Sequence, residues 1–181
     1  MNTRSFSTIG IVLKRVNVGE TDRIVNILTQ EFGKITVVAK GVRKMASTKR
    51  AFLEPGNIIQ AYLIKTKSLP LLTQAKLIAD CSKMEQSLQA FRQLTQLLEI
   101  YEKLFVEVEI ESDIYASLLS LRKQIILGKA PAIKVRDILG EVIVKMGFQQ
   151  PTESKYRTIT QYIQALSDSK INSYNYLRVK I

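Results

Sequence analysis

The chain has no histidine, no tryptophan and a single cysteine among its 181 residues. Lacking histidine, it has no general base of the most common kind, no Ser–His or Cys–His nucleophile pair and no histidine-containing metal site. With Cys81 alone it forms no internal disulfide and no four-cysteine zinc site. Cys81 lies in Asp80-Cys81-Ser82, where no sequence neighbour would activate a thiol, so it reads as a small packing residue. Neither a Gly-x-x-x-x-Gly-Lys-Ser/Thr loop nor a Gly-x-Gly-x-x-Gly fingerprint occurs. No enzyme activity, cofactor or metal is therefore expected. No apolar run is long enough to cross a bilayer. No apolar signal core follows Met1-Asn2-Thr3-Arg4-Ser5, so no membrane partner is expected and a cytoplasmic location is the default.

What the chain has in excess is positive charge. The formal net charge is +11, and it is unevenly distributed. Residues 1–80 carry a net +8, residues 81–113 a net −4 and residues 114–181 a net +7. Two basic regions flanking an acidic one favour polyanionic partners, most simply nucleic acid.

Residues 9 to 44 hold three runs rich in Ile, Val and Thr: Ile9–Val16, Arg23–Thr29 and Lys34–Lys40. Such residues suit a pleated, half-buried surface. Gly19 and Gly33 mark the turns between them. A basic loop follows from Gly41 to Arg50. The turn Glu54-Pro55-Gly56-Asn57 then leads to two more strands, Ile58–Thr66 and Leu69–Ile78. Pro70, with no N–H, fits a strand start or an edge. Five strands in about 80 residues predict a small barrel, an OB-fold first and an SH3-like barrel as the alternative.

The period changes after Ser82. Met84, Leu88, Phe91, Leu94 or Thr95, Leu98, Tyr101 and Phe105 recur at helical spacing, with Ser82 and Glu85 as a capping box. A second helix is expected from Ser112 to Gly128, and a third from Pro131 to Gly147. Thr158–Leu166 and Tyr174–Val179 are shorter candidates. Glu107, Glu109 and Glu111 alternate at offsets that share no helical face, and read as a solvated end to the first helix. The predicted class is α+β in two parts: a five-stranded OB-fold barrel over 1–80 and a helical domain over 81–181.

Several blocks carry a family resemblance. Gly10-Ile11-Val12-Leu13, Gly19-Glu20-Thr21-Asp22-Arg23-Ile24, Leu28-Thr29, Phe32-Gly33-Lys34, Ala39-Lys40-Gly41-Val42-Arg43 and Leu72-Thr73-Gln74-Ala75 fall in order across residues 7–79. Together they resemble the N-terminal domain of the RecO family. Leu139-Gly140-Glu141 to Met146-Gly147-Phe148-Gln149-Gln150-Pro151 looks like that family's helix end and Gly-aromatic-x-x-Pro turn. The resemblance implies binding of single- and double-stranded DNA, strand annealing, and partnership with RecR and the C-terminal tail of single-strand binding protein, assisting RecA. Many members carry a four-cysteine zinc site after the turn. Here Thr152-Glu153-Ser154-Lys155-Tyr156 stands in that place, so this zinc site is excluded.

The DNA-binding candidates are Lys14, Arg15, Arg23, Lys40, Arg43, Lys44, Lys49 and Arg50, cations that could converge on one rim of the barrel. Of the aromatics, Phe32 and Phe52 flank turns and are candidates for exposure, while Tyr62, between Ala61 and Leu63, is expected in the core. A docking groove for an acidic, apolar tail is expected around Leu121, Arg122, Ile125, Ile126, Lys129, Lys134 and Arg136. Two other readings remain: a protein-interaction adaptor of RecO shape with little DNA handling, and an RNA-binding OB protein.

Overall fold

A computed structural model describes residues 5–43, 49–82, 87–173, 176–177 and 180–181. Five strands form the N-terminal part: β1 (Ser5–Val18), β2 (Asp22–Thr29), β3 (Gly33–Ala39), β4 (Ile58–Ile64) and β5 (Leu71–Ala79). A short helix, α1 (Lys49–Phe52), lies between β3 and β4. The strands close in the order β1-β2-β3-β5-β4, the OB-fold ring. All neighbouring pairs are antiparallel except β3 with β5, which meet in parallel at Val38 and Leu71.

The alternation of the strands decides what the barrel buries. Val25 and Ile27 of β2, Ile35 and Val37 of β3, and Ile59, Ala61 and Leu63 of β4 point inward and form one core with Val12, Leu53 and Leu72. β1 is long enough to serve two neighbours. Its residues from Gly10 to Val18 pair with β2, and those from Ser5 to Ile11 pair with β4. The two pairings overlap at Gly10 and Ile11. A Cβ there would lie 2.5 Å from a methyl group of Ile27 and 2.6 Å from the Leu28 carbonyl oxygen, so only glycine lets β1 pass this close.

Asn57 joins the end of α1 to the end of β5. Its side-chain amide donates to the carbonyls of Ala51 and Phe52, and its oxygen accepts from the Cys81 N–H. Cys81 is buried beside it, a packing residue.

The remaining helices are α2 (Leu88–Leu104), α3 (Ser112–Ile126), α4 (Ala132–Lys145) and α5 (Ile159–Ser167), with a 3₁₀ turn at Pro151–Glu153. The chain divides into two compact units, residues 1–81 with 105–110, and residues 82–104 with 111–181. The acidic stretch Phe105–Ile110 thus returns to the barrel unit. Its Val106 carbonyl accepts from the Lys34 N–H, and its Ile110 N–H donates to the Gln30 carbonyl. This strap lies against Gly33, at φ +63°, where a Cβ would fall 2.2 Å from the Val108 carbonyl oxygen.

In the helical unit the expected stops are present: Gly128 and Gly147 take positive φ at the ends of α3 and α4. The start of α2 differs. Ser87 Oγ accepts from the Ala90 N–H, so Ser87, not Ser82, caps the helix, and Glu85 lies outside the described residues. The buried stripe of α2 starts at Ala90 and Leu94, leaving Leu88 64% and Phe91 50% exposed. The stripe is set by packing on α3 and α5, and these two side chains fall off it. Of the Tyr174–Val179 candidate, Tyr176 and Leu177 form a turn, and the other four residues lie outside the described ones.

Candidate nucleic-acid interface

The outward positions of β1, β2 and β3 form one face. Lys14 stands opposite Asn26, which stands opposite Thr36. One row further on, Val16, Ile24 and Val38 align. Two connections border this face. The β1–β2 turn is tied to the end of β3: the Gly41 N–H donates to Asp22 Oδ1 at 2.8 Å, and the Arg43 N–H donates to the Thr21 carbonyl at 2.9 Å. The β4–β5 turn emerges beside β3, because the Val38 N–H donates to the Pro70 carbonyl. A sheet face bounded by these two connections is where OB-folds hold oligonucleotides.

The predicted cations divide into those that face solvent and those the barrel uses itself. Lys14 and Lys40 are exposed. Arg43 is half-buried, and its guanidinium donates to the Gly19 carbonyl at 3.0 Å, holding the β1–β2 turn in place. Arg15 pairs with Glu54 at 2.6 Å. Arg23 is only 5% exposed and donates to Asn17 Oδ1, so it braces the turn from beneath. That corrects its expected place on the surface: as the first inward position of β2 it is carried under the turn. Lys44 lies outside the described residues. So do the side chains of Lys49 and Arg50, which open α1.

Two cations were missed. Lys65 and Lys67 are exposed on the β4–β5 turn, next to β3 in space but about 30 positions away in sequence. The signal lay in the OB topology, which brings that turn to the same side as the β1–β2 turn. Tyr62 was misplaced as well. Ile59, Ala61 and Leu63 take the inward positions, so Tyr62 is out of phase with them and 37% exposed. Of the turn aromatics, Phe32 is exposed, whereas Phe52 is half-buried against the core.

Of the residues expected to line a groove in the helical unit, Leu121, Arg122 and Ile125 are buried. Leu121 and Ile125 are fully buried core residues of α3. Arg122 is 4% exposed and lies near the buried phenol of Tyr101. Burial pushes the Tyr101 hydroxyl well above its ordinary pKa, and the Arg122 charge opposes that rise. Lys129 and Lys134 are exposed, while Ile126 and Arg136 are half-buried. Arg136 pairs with its neighbour Asp137 at 2.8 Å. A cavity of about 370 Å³ beside it is lined by Asp137 and Glu141 too, a poor seat for an acidic peptide.

The 151–156 segment holds a 3₁₀ turn in which Ser154 Oγ donates to the Pro151 carbonyl. It supplies no thiolate or imidazole, so a four-cysteine zinc ion does not fit here. No cluster of metal-binding side chains occurs among the described residues.

Residues 1–81, the barrel with its closing Cys81, match the sequence profile described as recombination protein O N terminal. Those residues are a RecO-family N-terminal domain. It is 32% identical over 101 residues to a DNA repair protein RecO from Heliobacterium modesticaldum, covering 56% of this chain and 37% of that one. The RecO protein of Caldicellulosiruptor bescii is 30% identical over 142 residues, 78% of this chain and 58% of the relative. That of Bifidobacterium longum is 43% identical over 70 residues, 39% of this chain and 29% of the relative. Each match thus spans less than two thirds of the relative's length. Among solved structures, a chain of the S. pombe Stn1-ten1 complex aligns over 53% of this chain and 76% of its own, at 14% identity and a TM-score of 0.31. That likeness is too slight for an argument to rest on it. The RecO resemblance of the barrel blocks is therefore matched by the profile over the same residues.

Proposed function

We propose that this protein is a RecO-type DNA repair and recombination mediator, which binds single- and double-stranded DNA and anneals complementary strands without ATP. It acts in the cytoplasm on nucleoid DNA, with RecR and the tail of single-strand binding protein as partners in loading RecA, and it catalyses no reaction itself. The observation that carries this reading is the OB face of β1, β2 and β3, bordered by exposed Lys14, Lys40, Lys65 and Lys67. Cations around a face with no base-specific clamp hold DNA by its phosphates. Strands held that way keep their base edges free to pair.

The test is fluorescence-monitored annealing of two complementary oligonucleotides without ATP, at low and high salt. Each phosphate contact releases counterions, so annealing should slow steeply as salt rises. Joint replacement of Lys14, Lys40 and Lys67 by Glu should abolish it. Unchanged annealing in that variant would remove the face from the mechanism.

One observation favours a second reading. Arg15, Arg23 and Arg43 are engaged by the barrel's own groups, which lowers the charge left for DNA. An adaptor that keeps the RecO shape would bind protein partners and lose DNA at physiological salt. Partner capture without annealing would favour it. Competition between matched RNA and DNA strands separates either reading from an RNA-binding OB protein.

A further inference from the structure

The barrel has a second outward face, on β4, β5 and the N-terminal half of β1. Its rows are set by the register. Ser7, Tyr62 and Gln74 align, and beside them Ile9, Gln60 and Lys76. Because β1 changes partner at Gly10, this face turns away from the one on β2 and β3. A groove of about 540 Å³ runs along it, lined by Ser5, Ser7, Tyr62, Thr73 and Gln74.

We propose that this groove is a second site for single-stranded DNA, so that one barrel holds two strands. The proposal rests on the DNA reading above and extends it to Gln60, Tyr62, Gln74 and Lys76, outside the first face, with Lys65 on the border of both. Four observations converge on it. Tyr62 stands out from the sheet and offers a ring on which a base can stack. Gln60 and Gln74 flank it with amides that donate and accept, and so tolerate any base edge. Lys76, opposite Gln60, and Lys65, just past the end of β4, are exposed next to the groove residues, placed for phosphates, and neither has an ion pair among the described residues. Lastly, no acid stands on these rows. The described acids of the barrel unit are elsewhere: Glu20 and Asp22 at the β1–β2 turn, Glu31 with Thr8, Glu54 with Arg15, Asp80 after β5, and Glu107 and Glu109 on the strap.

The mouth of the groove is held in shape. Phe6 packs edge-on against Phe32, with ring centroids 5.1 Å apart. The Lys65 ammonium lies 5.7 Å from the Phe6 ring centroid. A lysine already drawn over an aromatic ring needs little reordering to meet a phosphate. Two strand sites on different sides of one barrel give an annealing protein a direct way to bring two strands together.

The experiment uses the full chain and two non-complementary oligothymidylates, one carrying a donor dye and one an acceptor. Energy transfer between them reports bridging, and anisotropy of either alone reports simple binding. The variant is Tyr62→Ala with Lys76→Glu, both exposed positions, with a thermal melt to check folding. Bridging should fall about tenfold, as loss of one stacked base and one phosphate contact predicts, while binding of a single strand stays within about threefold. Wild-type binding with bridging undiminished in the variant would overturn the second site and leave the DNA reading intact. No binding by the wild type even at low salt would overturn both. A second measurement needs no variant. Photo-cross-linking of a 5-iodouracil oligonucleotide should label Tyr62, and cross-links confined to β2 and β3 would refute the proposal.

Discussion

The barrel unit and the helical unit both carry an excess of cations, yet they place them differently. In the barrel the side chain period is two, so outward positions alternate with inward ones along most of each strand. Lys14, Lys34, Lys65 and Lys76 stand outside a core of Val, Ile and Leu that never needs them. In the helical unit the period of 3.6 wraps the sequence around a cylinder, and a cation one step from an apolar stripe can be drawn in. Arg122 is drawn in with Tyr101 beneath it, and Gln96 is fully buried, donating to Thr160 Oγ1 and accepting from the Leu177 N–H. The sheet therefore displays the charges on its outward phase and buries Arg23 on its inward one, and a helical bundle decides case by case.

The sharpest way to break this contrast is in the helical core. Tyr101 is fully buried, and its hydroxyl donates to the Leu118 carbonyl. Tyr101→Ala should destabilise the helical unit by about 3–5 kcal/mol in denaturant unfolding. An effect below 1 kcal/mol would mean that the phenol is not a core anchor.

Next in size is the strap. Gly33→Ala combines an unfavourable positive φ with a clash against the Val106 and Val108 backbone. It should cost about 2–4 kcal/mol and expose the Lys34 and Ile110 amides to hydrogen exchange. Protection unchanged at both amides would show that the strap is held by other contacts.

The cations come third. Replacing Lys14 and Lys40 by Glu should weaken DNA binding about tenfold at low salt and flatten its salt dependence. The matching pair on the helical unit, Lys129 and Lys134, should change it about twofold or less. Equal losses from both pairs would dissolve the contrast between the units.

The smallest effect belongs to Glu99. Burial opposes its ionisation, but hydrogen bonds from Ser173 and Asn172, with Lys103 nearby, outweigh that and hold its carboxyl below the ordinary 4.5. A lowered folded pKa means the stabilisation is fully present above the ordinary value and fades as pH falls through the folded one. Protection of the Asn172 and Ser173 amides, relative to their intrinsic exchange rates, should therefore be constant above about pH 5 and fall in stronger acid. Protection that already varied between about pH 5 and 7 would assign the clasp to another group.

Much of the barrel was legible because its signals are local. Strand composition, glycine turns and the Glu54-Pro55-Gly56-Asn57 turn place all five strands within a few residues of where they lie. Local reading failed where phase mattered. Tyr62 looked like core because its neighbours are apolar, yet a one-residue difference in phase turns it to solvent. Leu88 and Phe91 looked like core because their spacing is helical, but α3 and α5 do not reach them as a buried stripe. Lys65 and Lys67 went unnoticed as part of the basic rim because only ring closure brings them beside β3.

Sequence alone determined the order of elements, the change from period two to period 3.6 after Ser82, the excess of positive charge and the absence of a zinc ligand set. These are properties of neighbouring residues or of composition. Tertiary structure decided which cations meet solvent. Closing the barrel buried Arg23, paired Arg15 with Glu54 and set Arg43 to hold a turn. It also returned Phe105–Ile110 to the hairpin at Gly33. The physical reason is distance along the chain. A hydrogen bond or an ion pair between residues tens of positions apart exists only once the fold has brought them together.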